Sequence, residues 1–124
     1  MRWGDLDAFQ HVNNTNYFRY MEQCRLEWFE TLGIDVPHLD RVDIVPNLVG
    51  AECRFIRAIT YPATVRVSIA VGDVGPKIVQ TLHELWVGDV LHAVGDCKLL
   101  WMSRTTNRSV ALPEEIRVKL RLKP

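Results

Sequence analysis

The chain has no surplus of either charge: fifteen Lys and Arg balance fifteen Asp and Glu over 124 residues. Nucleic acid and anionic bilayer surfaces select basic faces, so neither is expected as the main partner. Long apolar runs are missing as well. None approaches the roughly 20 residues that a bilayer span needs, and no apolar signal segment opens the sequence. A cytoplasmic protein is the expectation. Cysteine is sparse. Cys24, Cys53 and Cys97 are odd in number and show no CxxC spacing, which predicts reduced, buried structural thiols. His83 and His92 fall on separate predicted strands without metal-ligand spacing, and no glycine-rich phosphate loop is present. Neither a metal nor a cofactor is expected.

What remains is an ordinary globular composition, 48% hydrophobic and 24% charged, long enough to bury a real core as one domain over residues 1–124. One stretch departs from the ordinary. Residues 3–14 pack Asp5, Asp7, His11, Asn13 and Asn14 into a polar loop. A helix is predicted directly after it, over residues 16–32. Tyr17, Tyr20, Met21, Cys24, Trp28 and Leu32 recur in steps of three and four and make one apolar stripe. Glu22, Gln23, Arg25, Glu27 and Glu30 are assigned to the polar side, while Phe18, Leu26 and Phe29 widen the apolar surface. Asn13, Asn14 or Thr15 suits the start and Gly33 the stop.

Residues 34–47 contain Pro37 and Pro46 and no clear period, so they are read as a connecting loop. The pattern then turns to strands, at 48–59, 64–72, 77–87 and 90–102. In the second of these, Val65, Val67, Ile69 and Val71 alternate with polar neighbours. Residues 73–76 carry turn chemistry, and Gly88-Asp89 marks a tight hairpin. Gly95 inside the last strand suggests a bulge or a close approach by another backbone. Residues 113–122 form either a short closing helix or a frayed tail. One long helix followed by four hairpin-linked strands predicts an α+β fold, an antiparallel sheet wrapped on one helix. A single helix leaves sheet edges uncovered, so pairing of two chains through an edge is expected.

Gly4, Asp5, Asp7, Ala8, His11, Val12, Asn13 and Asn14, followed by Tyr17, Arg19, Tyr20, Glu22 and Arg25, resemble the opening motif of the hotdog-fold acyl-CoA thioesterases of the 4-hydroxybenzoyl-CoA thioesterase-like family. The likeness is close over the first quarter of the chain. Beyond it, strand order and Thr60-Tyr61-Pro62 match. Relatives carry several more residues of a first strand before the position of Arg2-Trp3, so either the true start lies upstream of Met1 or that strand is partly lost here. The resemblance implies a hotdog fold, a homodimer or homotetramer, an acyl-CoA or acyl-ACP substrate, and Asp7 as the catalytic carboxylate.

The chemistry fits those residues. A thioester needs a nucleophile at its carbonyl and a site for the developing oxyanion. Asp7 would act as general base on water or attack directly. Its ordinary pKa of about 3.9 makes it a weak base, but a thiolate leaves without strong acid assistance. The oxyanion would face backbone N–H groups at Asn14 and Thr15, at the positive end of the helix. Taken without the family, Asp7 reads equally as a turn former bonded to backbone N–H groups, and Asp5 and Asn13 read as loop wiring. His11 has two readings, a catalytic or substrate-orienting group and a structural one. Plant acyl-ACP thioesterases show a similar Asp-x-Asn-x-His-Val-Asn-Asn run, in which Asp7 and His11 match and Phe9 stands where their Asn does. Tyr17 and Met21 are either core or acyl-pocket walls. Arg54, Arg57, Lys98, Arg104 and Arg108 are candidates for a basic mouth that receives the nucleotide. The rival functions are an acyl-ACP thioesterase and a non-catalytic acyl-binding protein. A hydratase lacks its His/Asp signature in the strands.

Overall fold

The computed structural model describes residues 14–60 and 63–121, with the side chains of Asn14, Thr15 and Arg121 left out. The long helix α1 runs over Asn14–Thr31, within two residues of its predicted bounds. Its end follows from Gly33, which sits at φ +82°. Gly33 N–H donates to Glu30 O at 3.1 Å and Ile34 N–H to Phe29 O at 3.1 Å. This pair of bonds closes a helix whose next residue turns left-handed, a conformation that glycine adopts without a Cβ penalty. Lys119 Nζ donates to the Leu32 carbonyl at 2.8 Å and so caps the same end from a distant part of the chain.

The predicted loop over residues 34–47 is only partly a loop. A 3-10 segment occupies Val36–Arg41, entered at Pro37 and kinked at His38. Strand β1 then spans Ile44–Phe55, four residues earlier at both ends than expected. Pro46 had argued against a strand there. It faces Trp101 across the ladder, and Trp101 directs its N–H to Lys77 and its carbonyl to Val110, away from β1. Pro46 is therefore in a non-hydrogen-bonded pair on an edge strand, where its missing N–H points outward and breaks no ladder bond. Beyond Phe55 the ladder stops because the N–H groups of Ile56 and Arg57 both converge on the His92 carbonyl, at 2.9 and 3.0 Å.

Strands β2 (Arg66–Val74), β3 (Ile78–Val87) and β4 (Val90–Ser103) follow as hairpins, close to the predicted segments. Gly88, at φ +59°, makes the two-residue turn between β3 and β4. The antiparallel order is β1-β4-β3-β2. A two-residue β5, Arg108–Ser109, pairs with the end of β4. Helix α2, Glu114–Arg121, closes the described chain, so of the two readings of residues 113–122 the closing helix is the one formed.

Alternation in β3 and β4 directs Val79, Thr81, His83 and Leu85, and Ala93, Cys97, Leu99 and Trp101, toward the helices. The core has two apolar parts. One joins Trp28, Phe29 and Leu32 of α1 to Val79, Leu99 and Trp101 of the sheet and to Leu112, Ile116 and Leu120 around α2. The other joins Tyr17 and Met21 to Ile59, Leu85 and Ala93. Between them lies Arg25, which the helical pattern had assigned to the polar side. It is only 6% exposed, because it stands four residues after Met21 and three before Trp28, within the buried stripe itself.

Gly95 behaves differently from the expectation. The ladders to both neighbours stay in register there, so there is no bulge. The close approach comes from a side chain: Met21 Sδ occupies the place where a Cβ on residue 95 would stand.

Candidate functional site

The predicted catalytic residues Asp7 and His11 lie outside the described residues, as do Asp5, Asn13 and the predicted first strand. Asn14 and Thr15 form the first residues of α1, which puts their backbone N–H groups at the helix start, the position assigned to the oxyanion. The side chains of these two fall outside the description.

Tyr17 and Met21 are described, and both are buried, at 2% and 1% exposure. Tyr17 Oη accepts the Ile59 N–H at 3.3 Å, and its ring lies 4.8 Å from that of Phe55. Burial raises the Tyr17 pKa, against a lowering by the Ile59 hydrogen bond, so the phenol stays protonated. The first turns of α1 are thus fastened to the segment that follows β1. Phe55 and Ile56 remain 42% and 46% exposed beside that anchor. Sequence reasoning missed Phe55 and Ile59 as neighbours of the site. No local signal joins them to Tyr17, because the contact spans some forty residues.

The basic candidates do not converge. Arg57 stands just past β1, tied through its backbone to His92. Arg54 and Lys98 lie on the sheet face turned away from α1, near Glu52 and Asp96. Arg104 and Arg108 sit at the opposite end of β4, beyond Ser103. Of these five candidates, Arg54 and Arg57 are at the end of the sheet that meets the start of α1.

Two concavities are prominent among the described residues. A trough of 560 Å³ lies on the outer sheet face, walled by Glu52, Arg54, Leu82, Glu84, Val94 and Asp96. It is separated from the start of α1 by the sheet itself. The other is a groove along α1 beside β2. One part, 260 Å³, is bounded by Tyr20, Gln23, Cys24, Glu27, Val65 and Val67. The next, 520 Å³, includes Trp28, Thr31, Ile69 and Val71. Position along the helix makes the groove the more relevant of the two.

The thiols do not supply a nucleophile. Burial raises the pKa of Cys24 and Cys97, and that of Cys53 to about 11, with Cys97 adding to the effect on Cys53. All three are free, and Cys97 alone is fully buried, the others being half-buried. Among the described residues, no three His, Cys, Asp or Glu side chains gather as a metal site, and no helix is long and apolar enough to cross a membrane.

Comparison with known proteins places these features in context. The model of the thioesterase-like superfamily matches residues 1–120. A proposed thioesterase of Pseudomonas aeruginosa, the PA2801 protein, is similar at 36% identity and a TM-score of 0.87, over 97% of this chain and 92% of that one. A thioesterase of Thermus thermophilus, solved with coenzyme A and zinc, is similar at 28% identity and a TM-score of 0.85, over 98% of this chain and 92% of that one. YsmA of Bacillus subtilis (strain 168), an uncharacterized protein, is 23% identical over 119 residues, covering 93% of this chain and 77% of its own length.

Proposed function

The chain belongs to the thioesterase-like superfamily, has its hotdog fold and acts as a thioester hydrolase; we propose that its substrate is an acyl-CoA and that Asp7 and the start of α1 carry the reaction. The match over residues 1–120 carries this reading, because it includes the whole opening motif as well as the sheet. The Thermus thermophilus relative binds coenzyme A, which favours a CoA ester over a carrier-protein ester.

In this mechanism Asp7 takes a proton from water as the water attacks the thioester carbonyl, or attacks that carbon itself to give a mixed anhydride that water then hydrolyses to the free acid. The developing oxyanion accepts hydrogen bonds from the backbone N–H groups at Asn14 and Thr15, where helix α1 begins. The thiolate of CoA then departs. His11 orients the carboxylate or the attacking water. Arg57 serves the phosphates, being the basic candidate just past β1 at this end of the sheet. The anchor from Tyr17 to Ile59 holds the helix start in place, and Met21 keeps it against β4.

A homodimer completes the arrangement. Strand β1 is an edge among the described residues, with Leu48 and Val49 46% and 54% exposed. Such an edge invites a second β1. Val49→Lys is expected to shift a sedimenting dimer to monomer; an unchanged dimer removes this edge as the interface. The activity itself is tested by thiol release from a panel of aliphatic and aryl acyl-CoAs. Asp7→Asn is expected to lower kcat by at least about 100-fold, the low end for losing a positioned base, with fold and assembly intact. Near-native turnover by that variant refutes the role of Asp7, and no turnover of any ester by the native chain favours an acyl-binding protein.

A further inference from the structure

Between the two apolar parts of the core lies a polar band that the thioesterase chemistry does not use. On β3 and β4, Thr81 pairs with Cys97 and His83 with Gly95. Thr81, His83 and Cys97 therefore share the sheet face beneath α1. Arg25 reaches down onto them from the helix, with Nη1 3.9 Å from Cys97 Sγ. Thr81 and Cys97 are 0% exposed, His83 1% and Arg25 6%. Among the described residues, Thr81 Oγ1 and both ring nitrogens of His83 are buried without a formed hydrogen bond, although Thr81 lies close enough to Cys97 to pull its thiol pKa down against the rise from burial. The Ser68 carbonyl pulls weakly toward a protonated His83, short of a formed bond.

The chemistry of this band is unbalanced in one direction. A guanidinium offers five N–H donors and no acceptor, and it stays charged at any ordinary pH. The Thr81 hydroxyl, the Cys97 thiol and a neutral His83 each add a donor. Against these donors stand fewer acceptors: the Thr81 oxygen, one ring nitrogen of neutral His83 and a sulfur atom, itself a poor acceptor. No carboxylate is paired with Arg25 among the described residues, where the ion pair formed is His38 with Asp35, on the surface. Glu22, Glu27 and Glu30 of the same helix are exposed. Asp96 follows β4 alternation to the other face and accepts from Gln80 Nε2 at 2.9 Å. A buried cation without a counter-charge is strongly disfavoured. Water would supply acceptors but leave the charge.

We propose that Arg25, Thr81 and His83 bind a small monovalent anion of halide size beneath the middle of α1. The anion adds a strong acceptor and the counter-charge that the described residues do not supply. It lies about 16 Å along the helix from Asn14, at 1.5 Å per residue, and so is separate from the reaction site. It does not depend on the thioesterase reading. Its place between Met21 and Trp28 makes it a pin that fixes the helix to the sheet.

The test uses the full chain, with sodium chloride or bromide exchanged for sodium gluconate at constant ionic strength. Binding to the folded state alone raises Tm with the logarithm of halide concentration. A rise of about 5 °C or more is expected over a hundredfold range. Thr81→Val and Arg25→Met should each flatten that response. A crystal soaked in bromide should show anomalous scattering in contact with Arg25 and Thr81, a result that needs no variant to fold. The proposal is overturned if the native protein shows no halide-specific rise, or if both variants keep it. It is equally overturned if the density there is an ordered water or a carboxylate of the chain. A thiolate absorbance from Cys97 in saturating halide at neutral pH would also sink it, since the protein would then provide its own anion.

Discussion

Replacing Gly95 with alanine tests how α1 is seated on the sheet. Gly95 is not among the positive-φ glycines, which among the described residues are Gly33 and Gly88, so the backbone accepts a side chain without strain. In an open strand the change would stabilise by roughly 0.5–1 kcal/mol, through the lower flexibility of alanine in the unfolded chain. Here the new Cβ meets Met21 Sδ, and Met21 Cε at 3.2 Å. Met21 is 1% exposed, so its thioether can yield only by repacking within the core. Overpacking of this kind costs about 1–3 kcal/mol, so Gly95→Ala should destabilise by about 1–2 kcal/mol net. Met21→Ala alone should cost about 2–5 kcal/mol by opening a cavity. In the double variant the two errors relieve each other, because the methyl of residue 95 enters space that Met21 has left. The coupling should amount to about 1–3 kcal/mol, with the double variant more stable than the sum of the singles predicts. Urea unfolding of all four proteins, at matched m-values, measures it. A stabilising Gly95→Ala, or additivity within about 0.5 kcal/mol, would refute the contact.

Two further predictions bear on buried polar groups. In halide-free buffer, burial and the Arg25 charge hold the His83 pKa down at about 4, below its ordinary 6.5. The folded state then refuses a proton that the unfolded state accepts, so the stability is intact above about pH 6.5 and falls as pH drops from there toward 4. The loss over that window is on the order of 3 kcal/mol. His83→Gln should remove this part of the pH dependence, which urea unfolding at pH 7 and pH 4.5 would reveal; parallel curves for the two proteins would contradict it. Tyr17→Phe leaves the Ile59 N–H without its acceptor and should cost about 1–3 kcal/mol, with faster exchange of that amide. An unchanged exchange rate would mean that the phenol does not hold the segment.

The parts of the fold that were legible in sequence are those set by local rules. The α1 stripe, the alternation in β2 and the Gly88-Asp89 turn each need only a few neighbouring residues. The parts that were not legible depend on what stands across the sheet. Pro46 reads as a strand breaker until its pairing with Trp101 shows that its nitrogen faces off the edge. Residues 113–122 looked equally like a tail. They form a helix because Ile116 and Leu120 find Trp101 and Leu112 to pack against. Gly95 announced a close approach, and its identity as Met21 required the helix to be laid over β4. For the site, the motif named Asp7 and His11, and residue type alone could not reveal the Ile59 anchor.

Arg25 marks where the periodicity argument reaches its limit. Its spacing, four after Met21 and three before Trp28, fits the stripe, yet from sequence it is assigned to the polar side. Spacing was the better guide, because a helical residue's direction is fixed by its position, and chemistry decides only what must meet it there. A charge held in that direction divides the helix into two parts. The later part, Trp28 to Leu32, is fastened to Trp101 and α2 in the larger apolar cluster. The earlier part, Tyr17 to Met21, rests on Ile59, Leu85 and Ala93 and leads directly to the helix start. Packing losses in the first group should therefore appear mainly as lost stability. Equal losses in the second also shift the N–H groups proposed to meet the oxyanion, so stability and catalysis are coupled at one end of α1 and separable at the other.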